Sequence, residues 1–367
     1  MSIRRFLVAL ALLFAACSPG GESPRATPSA PASVSALAEL RDLFAARRKA
    51  LTAQDLDAYQ RTYDGSRSAF AACMREQFDA GESEALTPVR AEPFGGYYRV
   101  IVADAEGGYQ RLFARRDAGT FQLTEPASDE VGELRSKIDG PIRVNYWAID
   151  EDIADGVAIA AHQVYDLVAR EALVTTKANF SVQLYPVRSM TKDVPCWIGG
   201  SHTGSRLQPV INLPVYALSF DAAFRMPSSS TYQLIRHEAL HWIQEQNAPG
   251  AFARAPWWLV EGWPEFMSQF DPSDVMNALC VVGFPALDDV SQHRAVMEVS
   301  SLEATIRYAV ASTMVDHVVT TYGKRRYWEL YAGSLFADTD RVFKILVGHD
   351  QAAHYEAWLD WATTKYC

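Results

Sequence analysis

Two histidines four residues apart, with a glutamate directly after the first, stand in the stretch R-H-E-A-L-H-W-I-Q-E, Arg236 to Glu245. On a helix, His237 and His241 project from one face about one turn, roughly 6 Å, apart. That spacing lets both imidazoles reach one zinc ion at about 2.0–2.1 Å. Glu238 lies about 100° further round the helix, where it cannot join the same wall but can reach a water beside the metal. The pattern H-E-x-x-H is therefore a candidate zinc site with its own base, and it asks for a third ligand.

Twenty residues past His241 stands Glu261, in P-W-W-L-V-E-G-W-P-E-F. Four apolar residues precede it, and Trp263, Phe266 and Phe270 surround it, which argues against a solvated acidic helix face. The E-G-x-x-E-F context and its distance from the histidines resemble the gluzincin metallopeptidases, the clan of thermolysin, and among them the peptidase-MA-like family. The resemblance implies that His237, His241 and Glu261 bind zinc and that Glu238 is the general base. It implies that Glu265 accepts a hydrogen bond from His237 and fixes its tautomer. More loosely, it implies that Tyr308 hydrogen-bonds the oxyanion of the reaction. It covers residues 141–367, with specific motifs only between His237 and Glu265. Metzincins are excluded, because Asn247 stands where their third histidine would be. Pro264 departs from the family pattern; inside a helix it removes a backbone bond, a small loss if the helix begins only near Val260.

Three protein ligands leave zinc one position for water, as a catalytic site requires. Glu238 would take that water's proton as it attacks a peptide carbonyl. The expected activity is zinc-dependent hydrolysis of peptide bonds in a peptide or protein substrate. The alternatives are a non-catalytic cell-envelope binding lipoprotein whose zinc site is structural or relict, and hydrolysis of a non-peptide amide.

The elements that must position these residues are legible in part. Residues 228–248 read as the zinc helix, with Ser230-x-x-Gln233 as a capping box and Pro249-Gly250 as its end. Before it come a strand at 142–149, a helix at 152–173 with Ile153, Val157, Ala160, Val164 and Leu167 on one face, and strands at 180–187 and 210–218. The last of these is expected to be the sheet edge against which an extended peptide lies. Between those two strands the run I-G-G-S-H-T-G-S reads as a loop and His202 in it as a solvated histidine; His162 reads as a packing residue. A helix at 301–322, ended by Gly323, carries Tyr308, and His293 on the loop before it is an alternative electrophile.

Residues 36–128 read as a smaller α+β unit. Two helices over 36–63, the second starting at Thr52-Ala53-Gln54-Asp55, are followed by strands at 97–103, 109–115 and 120–123 joined by E-G-G and D-A-G turns. Helices before a curved antiparallel sheet resemble the cone-shaped nuclear-transport-factor-2-like fold. The chain as a whole is expected to be α+β, with this unit followed by a zincin-type domain that has a mixed sheet and an active-site helix.

The start of the chain reads as an export signal over residues 1–16: two arginines, an apolar run at 6–13 too short to span a bilayer, then small residues. Phe14-Ala15-Ala16-Cys17 resembles a bacterial lipobox, which implies lipidation of Cys17. Ser18 after it favours the outer membrane, on its periplasmic face, or the cell surface. Residues 17–35, rich in Pro, Ser, Gly and Ala, read as a flexible tether, so membrane attachment is expected through lipid alone. A net charge of −10 without a basic run argues against nucleic acid. Cys73, Cys196, Cys280 and Cys367 suggest two disulfides in an exported chain, with the pairing open.

Overall fold

Helical and strand periodicities segregate along this chain into two successive groups, and each group builds its own sheet. The computed structural model describes residues 30–81, 86–105, 107–171, 179–191, 196, 200–205, 208–293 and 299–367. The protein is α+β. The expected signal segment and Cys17 lie outside the described residues. No helix among the described residues is long and apolar enough to cross a membrane.

Three helices open the described chain: α1 (Ala30–Thr52), α2 (Leu56–Gln60) and α3 (Ser68–Ala80). Helix α1 begins inside the segment expected to be tether, so residues 30–35 are helical; Pro31 lies in its first turn, where a missing N–H removes no intrahelical bond. Asp55, not Thr52, caps α2, accepting from the Ala58 amide at 2.9 Å. A four-stranded antiparallel meander follows: β1 (Thr87–Phe94), β2 (Tyr97–Ala103), β3 (Tyr109–Asp117) and β4 (Thr120–Thr124), in that order. Strand β1 covers the T-P-V-R-A-E-P run that reads as a pattern break. Its prolines are accommodated because β1 is an edge strand with a register shift at Pro88. Leu40, Phe44, Tyr59, Phe70, Phe78, Val100 and Val102 close this first core.

The second sheet has five strands: β5 (Leu134–Asp139), β6 (Ile142–Trp147), β7 (Phe180–Tyr185), β8 (Ser201–Ser205) and β9 (Gln208–Pro214), ordered β5-β6-β7-β9-β8. Strands β6, β7 and β9 run parallel, and the two outer strands are antiparallel to them. The sheet therefore starts at Leu134, before the boundary expected at 141; the exposed residues of edge strand β5 give it the composition of a linker. At the other end β9 is not an edge. The glycine-rich run expected to be a loop supplies β8, which covers it. Helix α4 (Glu151–Val168) packs Ile153, Val157, Ala160 and Val164 on this sheet.

Helices then dominate: α5 (Ser229–Asn247), α6 (Trp257–Ser268), α7 (Ser273–Val282), α8 (Leu287–Ser291), α9 (Ser301–Tyr322), α10 (Lys324–Gly333), α11 (Thr339–Leu346) and α12 (Gln351–Tyr366). Ser228, rather than Ser230, caps α5. Helix α6 begins at Trp257, three residues before the expected start, so Pro264 sits in the helix interior. Helices α6 and α9 meet at Gly262, where an added Cβ would come within 2.3 Å of the Ala311 carbonyl oxygen.

Two disulfides resolve the open pairing. Cys280–Cys367 joins α7 to the end of α12. Cys73–Cys196 joins α3 of the first group to the segment that precedes β8. Arg111 and Asp150 form a buried ion pair between the two groups, and Arg99 reaches Asp152 at 2.8 Å.

Two measurements check this arrangement. Digestion without reductant yields the linked peptides Cys73–Cys196 and Cys280–Cys367, and any other pairing contradicts the fold. Gly262→Ala, which forces a methyl against backbone, lowers stability by about 1–3 kcal/mol in thermal or denaturant unfolding.

Candidate metal centre

Helix α5 is buried nearly all round through its middle two turns, so its polar residues there must find partners inside the protein. Trp242 stacks on Tyr165 of α4, which packs one side of α5 onto the core, while His237 and His241 share a different face. Helix α6 runs past that side and delivers Glu261. His237 Nε2 and His241 Nε2 lie 3.1 Å apart, and Glu261 Oε2 lies 3.3 Å from the first and 3.1 Å from the second. All three side chains are buried.

The hydrogen bonds behind the rings fix where their protons are. His237 Nδ1 faces Glu265 Oε1 at 3.2 Å, so it donates and leaves a lone pair on Nε2. His241 Nδ1 meets Gln244 Oε1 at 2.8 Å. The amide end of Gln244 is oriented by its other contacts: Nε2 donates to the Val260 carbonyl at 2.7 Å and to the Tyr327 hydroxyl at 2.9 Å. The oxygen must therefore face His241, whose Nδ1 donates, leaving a second lone pair on its Nε2.

Pro264 explains why the Val260 carbonyl is available. Proline has no N–H to bond the carbonyl four residues back and its ring pushes that carbonyl aside. The acceptor so released takes the Gln244 amide. Gln244 is fully buried, and sequence reading missed it. Its signal was a polar residue three positions after His241, on the same helix face within an apolar stretch.

Two imidazole lone pairs and a carboxylate are thus aimed at one point. Donors held at 2.0–2.1 Å around a tetrahedral centre are about 3.3 Å apart, and the observed edges of 3.1–3.3 Å match that spacing. The three residues form a group whose donors lie within 4.8 Å of one another, and they could hold a metal ion. Two nitrogens and one carboxylate oxygen suit zinc and related divalent ions.

The electrostatics follow from this crowding. Burial alone would lower the pKa of His237, but the carboxylates of Glu265 and Glu261 outweigh it and the net shift is well upward. His241 is also raised: burial pulls it down, and Glu261 overrides this. Burial favours the neutral acid of Glu261, yet the two histidines drive its pKa far below the carboxylate range. Glu238 is buried beside the ligands and outside their triangle. Burial raises its pKa, with the histidines opposing and Glu261 and Glu265 adding to the rise.

Tyr308 of α9 stands beside His237, ring centroids 6.0 Å apart, and against Trp257 at 5.1 Å. Burial, then the nearby carboxylates, raise its pKa well above 10, so it stays a phenol able to donate. His293 is engaged elsewhere, its Nε2 donating to the Ala255 carbonyl at 2.7 Å. His162 faces Asp139 at 3.1 Å. His202 is not the solvated residue expected: it lies in β8, its Nε2 is buried, and burial with the charge of His241 lowers its pKa to about 4.

A separate cavity of about 280 Å³ lies between the two groups of elements, lined by Arg47, Phe70, Arg111, Glu125, Arg188 and Tyr216. Its Arg188 is ion-paired with Glu125.

The chain matches no protein-family model and no curated protein. The convergence of donors is therefore what identifies the centre.

Gln244→Leu keeps the helix but removes the acceptor behind His241. The variant folds and binds zinc about 10–100-fold more weakly in competition with a chromophoric chelator. Unchanged affinity would show that Gln244 does not hold the ring.

Proposed function

We propose that the protein is a zinc-dependent metallopeptidase, a hydrolase resembling the peptidase-MA-like gluzincins in its second group of elements. The observation that carries this reading is the meeting of His237 Nε2, His241 Nε2 and Glu261 Oε2, with Glu238 buried within reach of their charges. His237, His241 and Glu261 would hold the zinc. When bound, zinc supplies a Lewis acid for a carbonyl oxygen and brings the pKa of a bound water toward about 7.

The remaining work falls to the chain. Glu238 takes the proton of the attacking water and passes it to the departing amine; its raised pKa suits both transfers. Tyr308 donates a hydrogen bond to the developing oxyanion from the His237 side. Glu265 and Gln244 hold the two imidazoles in the tautomer that leaves Nε2 free. The substrate is a peptide or protein. Strand β8 is the edge on which an extended peptide can add, because no strand among the described residues pairs with its outer side.

The three helices beside a four-stranded meander support a nuclear-transport-factor-2-like reading of the first group. Two disulfides support export. The cellular setting we propose is an exported bacterial lipoprotein, anchored through Cys17 to the outer membrane or held at the cell surface.

Glu238→Gln tests this directly. Zinc content of the purified variant stays at about one per chain while cleavage of unstructured protein falls by at least about 10²-fold. Activity that survives the change, or that a chelator leaves untouched, would sink the peptidase reading.

A further inference from the structure

Strand β8 carries a third imidazole, His202, near enough to helix α5 to feel the charge of His241. His202 pairs with Ile211 of β9, whose side chain is in the core, so both project to the face of the sheet that α5 covers. Gly200, two residues earlier, shares that face. A Cβ there would stand 3.2 Å from Leu234 and 3.3 Å from both Cγ and Oε1 of Glu238. The start of the strand therefore lies directly on the proposed base, and absence of a side chain at Gly200 is what permits the approach. His202 follows along the strand by about 7 Å, on the side of His241.

The Nε2 of His202 is buried and has no hydrogen-bond partner among the described residues. An unpaired buried polar group is destabilising, so one beside a reaction centre marks a place that a ligand fills. It is not among the three convergent donors and so is not a further ligand of the same kind. Its residue is only partly covered, and the strand that holds it is the last of the sheet among the described residues. A peptide laid along β8 would lie beside the strand that carries this nitrogen. Burial keeps the ring neutral at neutral pH, so it offers one N–H without placing a second charge beside the ligands.

We propose that His202 is a catalytic residue that donates a hydrogen bond from Nε2 to the oxygen of the carbonyl under attack, on the His241 side of the centre. Tyr308 stands on the opposite, His237 side. This assignment rests on the peptidase reading and adds to it a donor supplied by the edge strand itself. The oxygen gains negative charge as the tetrahedral intermediate forms, so the bond strengthens in the transition state and accelerates the step.

The test compares wild type, His202→Ala and His202→Gln as full-length protein loaded with zinc. The probes are the peptide that wild type cleaves best from an unstructured protein, and the phosphinic analogue of that peptide, whose tetrahedral anion imitates the intermediate. His202→Ala is expected to keep the zinc content and thermal stability of wild type, to lose about 10²-fold in kcat with little change in KM, and to bind the phosphinic peptide more weakly by a similar factor in calorimetry. His202→Gln, whose amide N–H reaches toward the same point, recovers part of both. Unchanged kcat and unchanged phosphinic affinity in His202→Ala, with wild type active, overturn the assignment alone. Loss of zinc in His202→Ala also overturns it, by making the residue a support for the ligands. A wild type that neither cleaves peptide nor binds the analogue overturns the peptidase reading and this assignment with it.

Discussion

Two nitrogen lone pairs and a carboxylate oxygen, packed within 3.3 Å of one another in a dry interior, repel unless a positive charge sits between them. The surrounding structure holds that geometry from behind. His237 is pinned by Glu265 from α6, and His241 by Gln244 from its own helix. Gln244 is in turn pinned by a carbonyl that Pro264 sets loose and by the Tyr327 hydroxyl, which itself donates to the Leu259 carbonyl at 2.9 Å. Helix α6 thus contributes to both sides of the centre: the carboxylates of Glu261 and Glu265 on one face, a displaced carbonyl on the other. A proline that would only weaken an isolated helix becomes an anchor for a side-chain amide.

The packing of α9 serves the same centre. Gly262 follows Glu261 directly and lets α9 approach until backbone nearly touches backbone. That approach places Tyr308 beside His237. Trp263, next in sequence, stacks on Tyr327 with centroids 4.4 Å apart, and so steadies the hydroxyl on which Gln244 depends. Glu261, Gly262, Trp263 and Pro264 are four consecutive residues, and each sets a different contact of the same small volume.

Much of the centre was legible in the sequence, because helical spacing is a strong local signal. His237 and His241 share a face by arithmetic, Glu238 falls outside that face by the same arithmetic, and family likeness placed Glu261 and Glu265. Gln244 was missed because a glutamine three residues on has no chemistry of its own; its role comes from Val260 and Tyr327, distant in sequence. His202 was misread because β8 is short and glycine-rich, and pairing with β9, not intrinsic preference, makes it a strand. The prolines of β1 hid an edge strand in the same way. The start of the second sheet was placed too late because β5 faces water and has the composition of a connector. Disulfide pairing was open in principle, since four cysteines allow several connections and only the fold decides among them.

The bond between Cys73 and Cys196 joins helix α3 to the chain just four residues before Gly200. The wall that rests on Glu238 is thereby tethered to a helix of the other sheet's group. The N-terminal half is then a mechanical brace whose grip depends on oxidising surroundings. In a reducing milieu the His237–His241–Glu261 group would keep its own helices but lose the fastening of the strand beside it.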